Sequence, residues 1–420
     1  MMKFYENEQT PEEVLILSVD TGVYDAEASI AELKELIRTA GGETRGVIVQ
    51  RLPLPNPSSY IGSGKLAEAE LFCHNADIDL VICDDELNPT QQRVLEAVLK
   101  TRVIDRTVLI LDIFAARARS NEGKLQVELA QLKYMLPRLK GSGEGMSRLG
   151  GGIGTRGPGE TKLESDRRHI RRRIHALEEQ LSAMAQRRER RRGRRQKDGV
   201  TTVAIVGYTN AGKSTLLNTL AGAGVLAENK LFATLDPTAR AIRLPDGREV
   251  MLIDTVGFIS RLPHFLVEAF KSTLEEATSA DLLLLLCDAS DPDCEAQLEL
   301  TKDVLKELSA EEKPMITVYN KCDLTNSYLT PFSRDTVRIS ALKGIGIETL
   351  LDCIAAHLPE QTLRLTVLLP YSEAGLAAKL HDLAAVHRED YSENGVYMEV
   401  TIPRSHAAAL AKFILRDTKE

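Results

Sequence analysis

Gly207, Gly212, Lys213 and Ser214 stand at the spacing G-x-x-x-x-G-K-[ST], between a β-rich run at Thr202–Val206 and a helix-forming run at Ser214–Leu220. No other feature of the sequence narrows the fold as far. A strand that ends in such a loop and restarts as a helix aims several backbone N–H groups and a helix N-terminus at one anion. The motif places Asn210, Ala211 and Thr215 in the same loop and helix start. Lys213 is expected to reach the β- and γ-phosphates of a nucleotide, and the Ser214 hydroxyl to ligate Mg2+.

Phosphate binding does not choose the base. Asn320, Lys321 and Asp323 form N-K-x-D after another β-rich run, Met315–Tyr319. The Asp323 carboxylate offers two acceptors to guanine N1–H and N2–H2, whereas adenine would leave it unpaired. Asn320 is expected to hold the loop and the base edge, with the Lys321 stem over the ring. Between the two motifs lie Asp254, Thr255, Val256 and Gly257, D-x-x-G at the end of the apolar run Val250–Ile253. Asp254 can hold Mg2+ through water, and the Gly257 N–H can sense a γ-phosphate. Ser340, Ala341 and Leu342 complete the set, with the Ala341 amide expected to face guanine O6.

Four motifs in this order resemble the translation-factor class of P-loop GTPases. The resemblance implies that Phe232, Ala233, Thr234, Leu235 and Asp236 are a switch segment, with Thr234 as second protein ligand to Mg2+; Thr238 is the rival candidate. Lys213, Thr234 and Gly257 are then the residues closest to catalysis. Many relatives carry Gln after D-x-x-G to orient the attacking water. Here that position is Phe258, which cannot hydrogen-bond water. Hydrolysis is therefore expected to rely on a group from elsewhere, in the same chain or in a partner.

The chain of 420 residues carries a formal charge of −8, with 43% hydrophobic and 27% charged residues. That composition excludes whole-chain disorder, and the length predicts two to four domains. The mean charge hides an asymmetry. Residues 161–198 hold 14 Lys+Arg against 6 Asp+Glu, a local +8, so the rest of the chain carries −16. The longest apolar run, Leu282–Cys287, is far short of the ~20 residues of a membrane span. The N-terminus lacks the apolar core of a secretory signal, and the six cysteines form no C-x-x-C pair. A cytoplasmic, monomeric protein with reduced thiols is the expectation.

Pattern divides the chain into four parts: an N-terminal α/β domain at 1–115, a helical arm at 116–198, the nucleotide domain at 199–360, and a small α/β domain at 361–420. In the first part Val14–Val19, Gly46–Leu52, Leu80–Cys83 and Val103–Ile104 read as strands, and Ala26–Ala40, Lys65–Asn75 and Pro89–Lys100 as helices. In the arm, Leu125, Leu129, Leu132, Leu136 and Leu139 make a heptad seam, repeated by Ile170, Ile174, Leu177, Leu181 and Met184. The expected structure is an antiparallel helix pair. Its connector, residues 141–159, has nine glycines in nineteen positions, too many for a helix. Arg148, Arg156 and Lys162 on this flexible backbone, with Arg167, Arg168, Arg171 and Arg172 on the following helix, are candidate RNA contacts. The last part reads as strand Leu363–Leu369, helix Glu373–Leu383, a hairpin at Asn394–Gly395 and helix Ser405–Leu415. Gly62, Gly64 and Lys65 superficially resemble a second phosphate loop, but the motif is incomplete, and a helix-capping turn is the simpler reading.

As a whole the sequence is similar to the HflX family of GTPases. The strings that carry the similarity are Tyr60–Lys65, Gly151–Thr161, Gly207–Ser214 and Phe232–Asp236. The resemblance implies an α/β P-loop GTPase with GTP and GDP as substrate and product, and Mg2+ as cofactor. It also implies binding to the large ribosomal subunit and its rRNA, and a role in splitting or rescuing stalled ribosomes under stress. An RNA-remodelling NTPase and a GTP-dependent adaptor with little turnover are the alternatives.

Overall fold

The computed structural model describes residues 11–139, 158–197, 200–222, 231–232, 238–261, 263, 266, 278–325, 335–358, 362–392, 394–403 and 410–415. In the first layer four strands, β1 (Glu13–Asp20), β2 (Glu43–Arg51), β3 (Leu80–Cys83) and β4 (Arg102–Asp105), form a parallel sheet in the order β2-β1-β3-β4. β1 is buried along its middle six residues, as befits a central strand covered on both faces. The helices between them are α1 (Ala26–Ala40), α2 (Ser63–Asn75) and α3 (Pro89–Leu99). Local signals set their ends. Asp25 caps α1 by accepting from the Glu27 and Ala28 amides. Asn88 and Gln91 cap α3 reciprocally, with Pro89 at its first position.

A fourth helix, α4 (Arg106–Arg117), was not expected from the sequence and crosses the boundary drawn at 115. Leu109, Ile110, Leu111, Ile113 and Phe114 are all buried. A helix with so little polar surface lacks the one-sided stripe by which helices are recognised.

The arm consists of α5 (Asn121–Arg138) and α6 (Pro158–Lys197). Leu125, Leu129 and Leu177 are buried in their seam, with Leu132, Ile174, Leu181 and Met184 packed alongside. Arg188 pairs with Glu122 and Lys133 with Glu178, so the helices run antiparallel. α6 begins inside the string expected to be loop. Lys162 therefore sits on helical rather than flexible backbone, and the basic run expected as a tail is also helical. The physical reason is that residues 160–192 contain neither Gly nor Pro. Arg148 and Arg156 lie outside the described residues.

The second sheet has six strands: β5 (Thr201–Gly207), β6 (Thr238–Arg243), β7 (Glu249–Asp254), β8 (Leu282–Asp288), β9 (Met315–Asn320) and β10 (Thr336–Arg338). Their order is β10-β9-β8-β5-β7-β6, all parallel except β6. Helices α7 (Lys213–Ala221), α8 (Cys294–Glu307) and α9 (Ile347–His357) belong to this layer. One hydrophobic cluster joins it to the first layer, including Ile110, Phe114 and Tyr134 with Val206, Tyr208, Phe232 and Phe258. The C-terminal part has an antiparallel sheet of β11 (Thr362–Leu369), β12 (Ala385–Ser392) and β13 (Gly395–Pro403), ordered β11-β13-β12, with helix α10 (Ala374–Leu383). The helix expected at 405–415 falls largely outside the described residues. Its end differs from expectation: Ile414 bridges to Val367, because Leu415 N–H bonds Thr366 in a sheet-like turn.

Candidate nucleotide site

The site lies at the carboxyl ends of β5, β7 and β9. Gly212 has φ +97, and a Cβ there would fall 2.2 Å from Asn320 Nδ2, so glycine is required on both counts. Lys213 follows at the first position of α7 and is buried. Its Nζ donates to the Gly207 and Tyr208 carbonyls at 3.1 and 2.7 Å, rather than pointing to open space. Burial lowers its pKa to about 8, with the charge of Asp254 opposing the shift. Ser214 Oγ donates to Asp254 Oδ2 at 2.7 Å. Two hard oxygens, from the P-loop helix and from the end of β7, therefore converge beside the loop. That donor set fits Mg2+. Thr238, the rival ligand, opens β6 directly opposite Asp254 in the register, while Ala233, Thr234, Leu235 and Asp236 lie outside the described residues.

The base side is bound to the phosphate side through one residue. Asn320 Nδ2 donates to the Ala211 carbonyl at 2.8 Å, and its Oδ1 accepts from the Ala341 amide at 2.9 Å. The Ala341 N–H is thus engaged by the Asn320 side chain, which ties the Ser340–Leu342 motif to the N-K-x-D motif. Hydrogen bonds from Ser340 and Lys343 hold the Asp323 carboxyl below its ordinary pKa; the Lys343 ion pair measures 3.1 Å. Lys321, at φ +61, pairs its ammonium with Asp288 at 2.5 Å. Leu342 is 82% exposed beside this loop.

Several expected contacts turn away from the cradle. Thr255 Oγ1 donates to the Ile205 carbonyl at 2.7 Å, and Val256 is buried in the core. Thr255 is bonded to β5, and Val256 packs in the cluster shared with the first layer. Phe232 packs edge-on against Phe114 with ring centroids 4.6 Å apart, so its ring serves the contact between layers and not the nucleotide. Phe258 is 3% exposed, and its backbone is stitched to the P-loop: its N–H donates to the Gly207 carbonyl at 3.1 Å and its carbonyl accepts from Thr209 at 2.7 Å. Asn210 is exposed with φ +61, and Thr215 is half-buried.

The sequence reading missed Tyr208, Ser260 and Arg261, and the first-layer residues Glu32, Asp84 and Asp85 that meet them. The one available signal was the acidic run Asp84–Glu86, which follows a fully buried strand at its carboxyl end. On the arm, Arg168, Arg171 and Arg172 are exposed and Arg167 is half-buried. Gly62 is the N-cap of α2, without a side-chain cap, and donates its N–H to the Gln50 side chain at 2.7 Å, while Lys65 pairs with Glu68 one turn on. No helix among the described residues is long and apolar enough to cross a membrane.

Comparison with known proteins agrees with this geometry. Family models described as GTP-binding GTPase N-terminal, GTP-binding GTPase middle region and 50S ribosome-binding GTPase match residues 27–115, 117–195 and 202–321. A GTPase HflX from Caldanaerobacter subterraneus subsp. tengcongensis is 51% identical over 404 residues, covering 96% of this chain and 94% of the relative. The GTPase HflX of Escherichia coli is 43% identical over 381 residues, 89% of each chain. A GTP-binding protein of Sulfolobus solfataricus, solved in complex with GDP, shares 28% identity over 82% of this chain and 98% of that one, with a TM-score of 0.45. The chain is a GTP-hydrolysing enzyme and belongs to the HflX family of GTPases.

Proposed function

We propose that this GTPase is Mg2+-dependent, that its nucleotide state gates attachment to the large ribosomal subunit and its rRNA, and that it splits or rescues stalled ribosomes in the cytoplasm. In this reading Gly207 and residues 210–215 hold the phosphates, and Asn320, Asp323 and Ser340–Leu342 select guanine. Ser214 and Asp254 would hold Mg2+, which neutralises phosphate charge when bound. Residues 1–115 and the arm would face the ribosome, with Arg148, Arg156, Lys162, Arg167, Arg168, Arg171 and Arg172 as candidate rRNA contacts.

One observation carries the gating. The segment after Gly257 is bonded to the P-loop through Phe258 and to the first layer through Ser260, whose Oγ donates to Glu32 at 2.9 Å. A displacement of Gly257 toward or away from a γ-phosphate therefore pulls on the layer that precedes the arm. The similarity of residues 202–321 to the 50S ribosome-binding GTPase family supports the choice of partner. With Phe258 buried, its position offers no group to orient water, which favours a ribosome-supplied one.

Sucrose-gradient profiles of 70S ribosomes test the role. With protein and a non-hydrolysable GTP analogue, the 70S peak should fall and free subunits rise; with GDP the profile should not change. Subunit release that is equal in both nucleotides, or absent in both, contradicts the proposal.

A further inference from the structure

Beyond Phe258 the chain leaves the nucleotide cradle and enters the first layer. There Arg261 meets a receptor of carboxylates. Its Nη1 donates to Asp84 Oδ2 at 3.0 Å and to Ser29 Oγ at 2.9 Å, and its Nη2 pairs with Asp85. The guanidinium lies 3.9 Å from the Tyr24 ring centroid. Glu32 accepts from Ser260 and from the Tyr208 hydroxyl of the P-loop. Arg106 backs the cluster, pairing with Glu32, donating to Asp84 Oδ1 at 3.0 Å and to the Ser260 carbonyl at 3.2 Å.

The location is informative. In the order β2-β1-β3-β4 the chain reverses direction between β1 and β3. The crevice beyond the carboxyl ends of such a pair is where open α/β sheets take ligands. Here its occupant is an arginine from the nucleotide domain. Arg261 also holds φ +54, the left-handed region that non-glycine residues seldom adopt.

The consequence appears at the phosphate end of the same segment. A Cβ on Gly257 would lie 2.7 Å from Lys213 Nζ and 2.9 Å from Thr209 Cα. The oxygens of a third phosphate must fit between the Lys213 ammonium and the Gly257 amide. With no room for even a methyl group between Gly257 and Lys213, an entering γ-phosphoryl group competes for the space beside the ammonium, whereas the α- and β-phosphates need only the P-loop itself.

We propose that Arg261, seated among Asp84, Asp85 and Ser29, sets the preference of the site between guanosine diphosphate and guanosine triphosphate. Seated, it holds Gly257 against Lys213 and admits the diphosphate; entry of the γ-phosphate requires it to leave. The receptor survives the departure. Asp84, fully buried, keeps Arg106, and Asp85, with 20% of its side chain exposed, keeps the Tyr60 hydroxyl at 2.6 Å. By linkage, anything that draws the first layer away from Arg261 strengthens triphosphate binding by the same factor as triphosphate loosens that contact.

The test is fluorescence titration of the full-length protein with GDP and with a non-hydrolysable GTP analogue. In Arg261→Gln the Kd for the analogue should fall by about tenfold while that for GDP stays within about twofold. Asp85→Asn, which keeps every Asp84 contact, should shift the ratio in the same direction by a few-fold, and Arg261→Lys should fall between wild type and Arg261→Gln. The double variant should bind the analogue no more tightly than Arg261→Gln alone, because both changes remove one contact. Thermal melting identifies a variant that does not fold, and Asp85→Asn then decides alone. An unchanged ratio in the folded variants, or an equal shift for both nucleotides, overturns the proposal.

Discussion

Lys213 shows how a single buried charge makes nucleotide binding sensitive to pH. Burial lowers its pKa to about 8, so above that value the folded, unliganded lysine loses its proton while the unfolded one keeps it. The unfolded chain then binds more protons, and the destabilisation from this buried charge is fully present below about 8 and relieved as pH rises toward the ordinary lysine value. Phosphate oxygens favour the ammonium and must restore the proton. GDP affinity should therefore be flat from pH 7 to 8 and fall above it by up to about tenfold per unit, with proton uptake measurable by calorimetry in buffers of different ionisation enthalpy. A flat affinity to pH 9 contradicts the role given to Lys213. Asp323 governs the other end of the ligand. Asp323→Asn should weaken GTP by roughly a hundredfold or more and shift preference to xanthosine triphosphate, whose C2 carbonyl accepts where guanine donates. Competition binding with both nucleotides checks it, and unchanged guanine preference removes Asp323 from the base site.

At the scale of elements, the motifs were legible because each is short, local and attached to a strand end. β3 and α1 appear with the limits read from the sequence, and the other strands differ by a few residues at their ends. One helix was missed and one was longer than read. α4 is too evenly apolar to show a face, since it packs against α1, α5 and β4 and, through Phe114, against Phe232. α6 was legible as the second helix of the pair, since its seam residues Ile174, Leu177, Leu181 and Met184 meet α5 and Arg173 pairs with Glu128 at 2.6 and 2.8 Å, but its extension into the glycine-rich string and the basic run was not. The site was incomplete in the sequence for a related reason. Tyr208, Ser260 and Arg261 acquire meaning only through Glu32, Asp84 and Asp85, which are more than 170 residues away in the chain. No spacing rule reports a contact of that separation.

For the whole molecule, the charge distribution says more than its sum. The +8 of residues 161–198 belongs mostly to one 40-residue helix, while the two larger sheets carry acidic surroundings. A polyanion should repel the acidic body and attract the arm, so approach to RNA is oriented, and the attraction should weaken with salt. The interface between layers connects the first layer to the nucleotide domain through Glu32, Arg106 and Arg261. Nucleotide-gated binding to the large subunit is the central claim, and sedimentation with purified 30S and 50S subunits measures it most directly. The account predicts that the protein pellets with 50S and not with 30S, more strongly with a GTP analogue than with GDP, and less as salt is raised. Binding to 50S that is indifferent to both nucleotide and salt would contradict it.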